Sequence, residues 1–468
     1  MTDDLDRAPL RELARRLRRG ETTAAELARR SAERHRLRGA DDHAYLTWTG
    51  DHARRFAEAT DALIRAGGDA GPLMGLPISI KDIFGVPGLP THAGSARRLP
   101  ETWERPGPVV RATLRQLPVL MGKTHTVEFA FGGLGTNLHH GTPRNPWDAA
   151  SHRVPGGSSS GAGVSVATGT ARLALGTDTA GSVRIPASMT GVAGLKTTAG
   201  RWSTAGIVPL STTLDTPGLL AASADDLAYA FAALDGDLAC GASEEVPVPD
   251  LSELTFGLPT RYFWEGCSPG IAETVEAAAR ELERGGARLV PLDLPGCDEA
   301  YSLLQGGGVA ATELAAFLNA ELPDAVAMLD PAVAARVAAA DALPAWEYVR
   351  RRTLLNRLAT EAAGALRTVD AVLAPTVAVT PPRLDELRPE GAYARANMLA
   401  LRNTVIANFM GLCAVTLPAG RDAAGMAVGL QLMAQGGSDP RLLAMARAVE
   451  RCLGTAAERL GALPETHR

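Results

Sequence analysis

Aromatic residues, cysteines and downstream histidines are all scarce in this chain, and each shortage excludes something. Aromatics make up only 4% of the 468 residues, so the core must be assembled from Ala, Val and Leu packed against small residues, a picture that the 49 glycines support. The five cysteines, Cys240, Cys267, Cys297, Cys413 and Cys452, are scattered and odd in number, with no C-x-x-C pair. That spacing excludes a disulfide framework and a zinc site and fits a reducing cytoplasm. No run of about 18 uncharged apolar residues occurs, so no transmembrane helix is expected. The first ten residues, MTDDLDRAPL, open with acids and lack the apolar stretch of a signal peptide. A net charge of −5 leaves no basic footprint for nucleic acid. Residues 11–19 are rich in arginine, but Leu10, Leu13 and Leu17 at helical spacing read as an amphipathic helix. A soluble cytoplasmic protein with neither membrane nor nucleic-acid partners is expected.

Hydrophobic residues at 46% and charged residues at 21% are those of a globular chain. Residues 8–36 read as two helices, the second preceded by Thr22 and Thr23, either of which can cap a first turn. Leu76, Ile78 and Ile80 alternate along one face of a strand that ends at Lys81 and Asp82. Residues 109–128 read as a helix and then a strand over 119–122, followed by a glycine-rich turn at Gly132 to Gly135. A small-residue helix over 162–168 and a strand over 171–175 come next. Helix and strand alternate again at 271–285 and 287–292, residues 299–366 are mostly helical, and 371–374 and 415–418 read as strands. Such alternation indicates an α/β fold, a large mixed β-sheet flanked by helices on both faces. With no repeat and no low-complexity linker, residues 1–468 read as a single domain.

The chemistry concentrates in residues 156–186. A helix from Ser160 to Thr168 advances roughly 13 Å, and an extended return over 171–175 covers about 17 Å. The chain goes out and comes back, bringing the turn at 156–161 beside the turn at 179–182, each with its serines. The amides of Thr179, Ala180, Gly181 and Ser182 are candidates for an oxyanion hole. A serine hydroxyl is a weak nucleophile and needs a base, normally histidine. Of the nine histidines only His467 lies beyond residue 152. This weighs against reading Gly157-Ser158-Ser159-Ser160-Gly161 as a G-x-S-x-G elbow, which also requires a preceding strand where 144–155 is polar and broken by proline. Lys123 follows Gly122 as in a phosphate loop, but Leu117 stands where the first glycine belongs, so it reads as structural.

The run GGSSSGAGVSVATGTARLALGTDTAGSVRIPAS, residues 156–188, resembles the signature of the amidase signature family, and LPISIKDIFGVPG around Lys81 resembles its lysine motif. Similarity continues through GKTHTVEFAFGG, TPRNPWD, GLKTTAGRWS, DAVLAPT and GLQLMA, and so covers nearly the whole chain. The resemblance implies an amidohydrolase that cleaves a carboxylic amide of a small molecule. Ser182 is then the acyl-forming nucleophile, Lys81 the ultimate base, and Ser158, following a cis peptide bond, the proton bridge between them. For that role burial must hold the Lys81 pKa far below about 10.4. Asp178 and Arg184 are implied as braces of the serine loop, and Phe131, Gly132 and Gly133 as neighbours of the acyl pocket, although Phe129 and Phe131 suit core packing equally. No cofactor and no metal are implied, and a homodimer would be in keeping. In this register residues 1–66 form a helical N-terminal part, 71–230 the signature core, and 231–468 a second half whose helical region 299–366 is expected to form a cap. Two departures from the pattern are Ser160, a candidate helix N-cap, and Ala180, which is less free than glycine to adopt positive φ. The rival implied by the same motifs is the glutamine-hydrolysing subunit of a tRNA-dependent amidotransferase. Against it, Ile185 stands where that subunit carries Gln.

Overall fold

Side chains that alternate between two apolar layers build the centre of the molecule. The computed structural model describes residues 4–38, 42–238 and 246–464; Cys240 and His467 lie outside them. Eleven strands form one sheet: β1 (Tyr45–Trp48), β2 (Pro77–Lys81), β3 (Val119–Thr124), β4 (Leu173–Asp178), β5 (Ala193–Lys196), β6 (Thr216–Ala221), β7 (Thr255–Pro259), β8 (Arg288–Leu292), β9 (Ala371–Pro375), β10 (Cys413–Arg421) and β11 (Ala427–Ala434). Their order across the sheet is β1-β3-β2-β4-β6-β5-β10-β11-β9-β7-β8. Strand β2 runs parallel to β3 and β4, and β7 runs parallel to β8 and β9, while the strands between are antiparallel. The sheet is mixed, in an α/β architecture, as the alternation of elements anticipates.

Strands β2, β4, β6 and β11 are buried at every position, so both faces of the sheet are covered. Leu173 and Leu175 of β4 enter one apolar cluster with Leu219 and Ala221 of β6. Ala174 and Leu220, pointing the other way, join a second cluster with Ala162, Val183 and Ala187. That second layer is thin by composition. The helix Ser160–Ala167 has a small residue at most positions and is buried nearly all round, so its placement comes from close packing rather than from an amphipathic stripe. At Gly161 a Cβ would lie 2.0 Å from the Ala44 carbonyl oxygen.

The helices Leu10–Arg19 and Ala24–Arg38 form as expected. Thr23 Oγ1 accepts from the Glu26 amide at 3.0 Å. Three local expectations need correction. Strand β4 runs to Asp178 rather than stopping at 175, because its ladder with β6 continues through Thr177 opposite Pro217 and Asp178 opposite Thr216. Ala171 stays outside it, its amide donating to Ser165 O at 3.0 Å. Ser160 is the first residue of its helix rather than the N-cap, and its hydroxyl donates to His125 O at 3.3 Å. Residues 299–366 form the helices Cys297–Gln305, Ala310–Glu321, Pro331–Asp341 and Ala345–Ala365, with a 3-10 turn at Pro323–Met328. No helix among the described residues is long and apolar enough to cross a membrane.

The Gly161 contact is testable. Gly161→Ala forces a methyl against a backbone carbonyl and should destabilise the protein by about 1–3 kcal/mol, read as a lowered urea midpoint at unchanged slope.

Candidate active site

The parallel register of β2 with β4 places Lys81 next to the polar end of β4. Ile78 and Ile80 enter the large apolar core, so Ser79 and Lys81 take the opposite face. Ser79 Oγ meets Ser165 Oγ of the helix Ser160–Ala167 at 2.9 Å. Lys81 Nζ lies 2.8 Å from Ser158 Oγ and 2.9 Å from Thr177 Oγ1. The Gly157–Ser158 peptide bond is cis. The two serine turns are joined directly: the Ser159 amide donates to Ser182 O at 3.1 Å. The hydroxyl of Ser159 faces away into β4, donating to Thr177 O at 3.3 Å and accepting from the Thr177 amide at 3.4 Å. The adjacent serines are thereby distinguished: Ser158 meets the lysine, and Ser159 pins the turn to the sheet.

Lys81 and Ser158 are fully buried and Ser182 is 3% exposed. Among the described residues Lys81 has two hydroxyl partners and no carboxylate within ion-pair distance. Burial pushes its pKa down to about 7, against the upward pull of the Asp215 and Asp178 charges. Near neutral pH a large fraction of the amine is therefore unprotonated and able to accept a proton from the hydroxyl beside it. The other two lysines of the core behave differently. Lys123 pairs with Asp82 Oδ1 at 2.8 Å and donates to Pro90 O at 2.9 Å and Thr91 Oγ1 at 2.6 Å; Lys196 donates to Thr197 O and Leu412 O, each at 2.8 Å. Both are held by fixed acceptors.

Asp178 and Arg184 anchor the turn between them. Arg184 donates from Nη2 to Asp178 Oδ1 at 2.9 Å and from Nε to Oδ2 at 3.0 Å. The carboxylate also accepts the amides of Gly181 at 2.8 Å and Val183 at 3.1 Å. Arg184 extends the brace to Thr404 O, Asn408 Oδ1 and Gln431 Oε1. Burial alone would raise the Asp178 pKa, but the Arg184 guanidinium holds it well below the usual carboxylate range. Gly181 sits at φ 130°, and a Cβ there would lie 2.1 Å from Thr404 Oγ1. The positive φ thus falls on Gly181 and not on Ala180, so alanine at 180 imposes no left-handed strain.

Ser182 opens into a cavity of about 130 Å³ lined also by Thr179, Ala180, Phe131 and Gly132. Gly181 and Gly133 are outside the lining: the Gly181 amide is engaged by Asp178 as above, and the Gly133 amide donates to Asn397 Oδ1 at 2.7 Å. Of the two aromatics equally suited to core and wall, Phe129 is core and Phe131 is wall. The helical stretch 299–366 contributes Leu304, Gln305, Val309, Ala310 and Arg336 to the lining. Among the described residues no group of three or more His, Cys, Asp or Glu is placed to hold a metal ion.

Three residues near the site carried no signal in the sequence. Thr177, the second partner of Lys81, is one of many threonines. Asp215 is half-buried behind the turn, accepting from Thr179 Oγ1 at 2.5 Å and from the amides of Leu210 and Ser211; desolvation of its carboxyl pushes its pKa up to about 6. Arg336, a single arginine in the Ala-rich helix Pro331–Asp341, stacks its guanidinium 3.9 Å from the Phe131 ring centre.

A second cavity, about 200 Å³, lies between Pro259–Phe263 and the Arg357 to Glu361 segment and touches none of the residues above.

Residues 26–443 match the family model described as Amidase. The chain is 52% identical over 456 residues to the 2-amino-5-chloromuconic acid deaminase of Comamonas testosteroni, covering 97% of this chain and 98% of that protein. It is 34% identical over 485 residues to a glutamyl-tRNA(Gln) amidotransferase subunit of Synechococcus sp. (strain RCC307), covering 95% and 97%. Among solved structures, that of the native peptide amidase from Stenotrophomonas maltophilia superposes with a TM-score of 0.79 at 29% identity, covering 96% of this chain and 97% of that one.

Two outcomes follow from this geometry. An unfolded chain keeps the lysine protonated up to its ordinary value of 10.5, whereas the folded site releases the proton at about 7. Between those limits unfolding takes up a proton, so rising pH stabilises the fold. Lys81→Met has nothing to titrate, and its stability relative to wild type should be greater at about pH 7 than at about pH 10, measured by urea unfolding at both. Arg184→Met leaves Asp178 buried without its cation and should cost about 3–5 kcal/mol in the same assay.

Proposed function

Since the chain belongs to the amidase family, whose members hydrolyse C–N bonds, we propose that it cleaves a small-molecule carboxylic amide through an acyl-enzyme on Ser182. The observation that carries this reading is the 2.8 Å contact between a buried, carboxylate-free Lys81 and Ser158. In the proposed cycle neutral Lys81 takes the Ser158 proton as Ser158 takes that of Ser182. The Ser182 oxygen adds to the amide carbonyl. The N–H groups of Thr179 and Ala180, in the cavity wall beside Ser182, stabilise the resulting oxyanion. Collapse returns the proton through Ser158 to the leaving nitrogen, the amine or ammonia departs, and water repeats the sequence on the ester. The acidic residues close to Lys81, Asp215 and Asp178, act at a distance: they set how readily the lysine gives up its proton.

A second reading of the same site is favoured by the 52% identity to a deaminase of an amino-substituted unsaturated diacid: ammonia release from such an acid instead of from an amide. The amidotransferase-subunit reading is weaker. Ile185, at the position where that subunit carries Gln, is fully buried in an apolar cluster with Leu134, Val154 and Leu401.

Ammonia release assayed over simple amides, glutamine and amino-substituted unsaturated acids separates the three. Ser182→Ala should abolish turnover and labelling by a fluorophosphonate. Lys81→Ala should lower kcat by several orders of magnitude, and Ser158→Ala should be severe but less complete. In wild type, kcat/KM should rise with pH through about 7 as Lys81 loses its proton. A Lys81→Ala enzyme with near wild-type rate at pH 7–9 would rule out the proton relay.

A further inference from the structure

The cavity that holds Ser182 contains one ionic side chain, and among the described residues no carboxylate pairs with it directly, Asp330 acting on it only from beyond ion-pair distance. Apart from Thr179, Ser182, Gln305 and Arg336 the lining is apolar or glycine. Arg336 donates from Nε to Ala332 O at 2.9 Å and from Nη2 to Phe131 O at 2.6 Å. Its guanidinium lies over the Phe131 ring, and Tyr393 is a further neutral partner. Among the described residues no carboxylate approaches it to ion-pair distance. The acid at the start of its own helix, Asp330, uses Oδ1 to cap the Ala332 amide at 2.8 Å. Other arginines are also held by neutral groups, Arg402 by Phe263 O and the Tyr262 ring and Arg172 by Asp6 O and Ala8 O; what sets Arg336 apart is that it alone of them lines the cavity of Ser182.

A guanidinium held among apolar groups and neutral acceptors is stabilised chiefly by an anion brought to it. Its carbonyl bonds and the Phe131 face fix its orientation in advance, so little rotamer entropy is lost when the anion arrives. One positive charge in an otherwise apolar cavity is balanced by a monoanion; a phosphate dianion would bring an uncompensated negative charge with it. A carboxylate fits both the charge and the planar fork.

We infer that Arg336 is the substrate-recognition residue of this site and that the substrate carries a carboxylate remote from the C–N bond that is cleaved, anchored on Arg336 while the reacting carbon meets Ser182. The inference rests on the reading of Ser182 as the reactive group. It makes the natural substrate the monoamide or amino derivative of a short dicarboxylic acid, with an apolar segment between its two ends, and disfavours neutral amides of equal length. Arg336 acts here in binding and orientation; proton transfer stays with the serines and Lys81.

The test uses protection from labelling as well as turnover. Ser182 is labelled with a fluorophosphonate in the presence of succinate, glutarate, adipate or cis,cis-muconate, or of the corresponding diamides. In parallel, kcat and KM are measured for the monoamides of the same acids and for neutral amides of matched length. At the best-fitting length the acids should protect, and the monoamides should be favoured in kcat/KM, by about tenfold or more over the neutral partners, mostly through KM. Arg336→Gln should collapse that ratio towards one, while Arg336→Lys should retain part of it. A purely structural role would lower acidic and neutral substrates together and leave the ratio intact. Equal protection by acids and diamides in wild-type protein overturns the carboxylate anchor while leaving the Ser182 reading in place. Failure of the fluorophosphonate to label Ser182 at all overturns both. The wild-type comparison does not depend on how well either variant folds.

Discussion

The buried ion pair of Asp178 and Arg184 is the constraint on which the rest of the site depends. Asp178 ends β4, and its carboxylate gathers the amides of the turn that follows. Arg184, six residues on, ties that turn to the helix Ala392–Phe409 through Thr404 O and Asn408, and to β11 through Gln431. Two charges withdrawn from water are tolerated because nearly every lone pair and N–H around them has a partner. The arrangement sets the position of Ser182 from three directions. It also engages the Gly181 amide, leaving Thr179 and Ala180 at the cavity wall.

The Lys81 environment is the complement of that brace. Where Asp178 is given a cation, Lys81 is denied an anion: hydroxyls at 2.8 and 2.9 Å replace the carboxylate that Lys123 finds in Asp82. Two lysines buried to the same degree on neighbouring strands thus differ in the groups that meet them. Burial supplies the downward shift and the absence of a paired acid preserves it. Arg336 presents a third solution, a cation kept charged and left for a ligand to neutralise.

Much of this was legible in the amino-acid sequence. The glycine-serine runs, the lysine at a strand end and the shortage of downstream histidines converge on residues that the fold brings together. The out-and-back path from Ser160 to Asp178 follows from helix and strand lengths alone, and it holds although β4 extends beyond its apolar pattern to Asp178. Strands such as β5 and β6 were not legible. AGLK and TPGLLA are short, contain Gly or Pro, and are buried on both faces, so neither alternation nor propensity marks them.

What the sequence by itself determined is the chemistry available: which side chains exist, how they are spaced within a turn, and which bases are missing. Local spacing is enough for those because turns and single strands are set by nearby residues. The tertiary structure alone decided which identical residues differ in role. Ser158 and Ser159 are chemically the same, as are Lys81 and Lys123, and only contacts 18 to 96 residues away separate them. Asp215 and Arg336 enter the site the same way, from segments whose local sequence has no reason to announce them. Desolvation and hydrogen bonding are properties of a three-dimensional environment, and so the assignment of charge, proton and ligand to particular side chains waits on the fold.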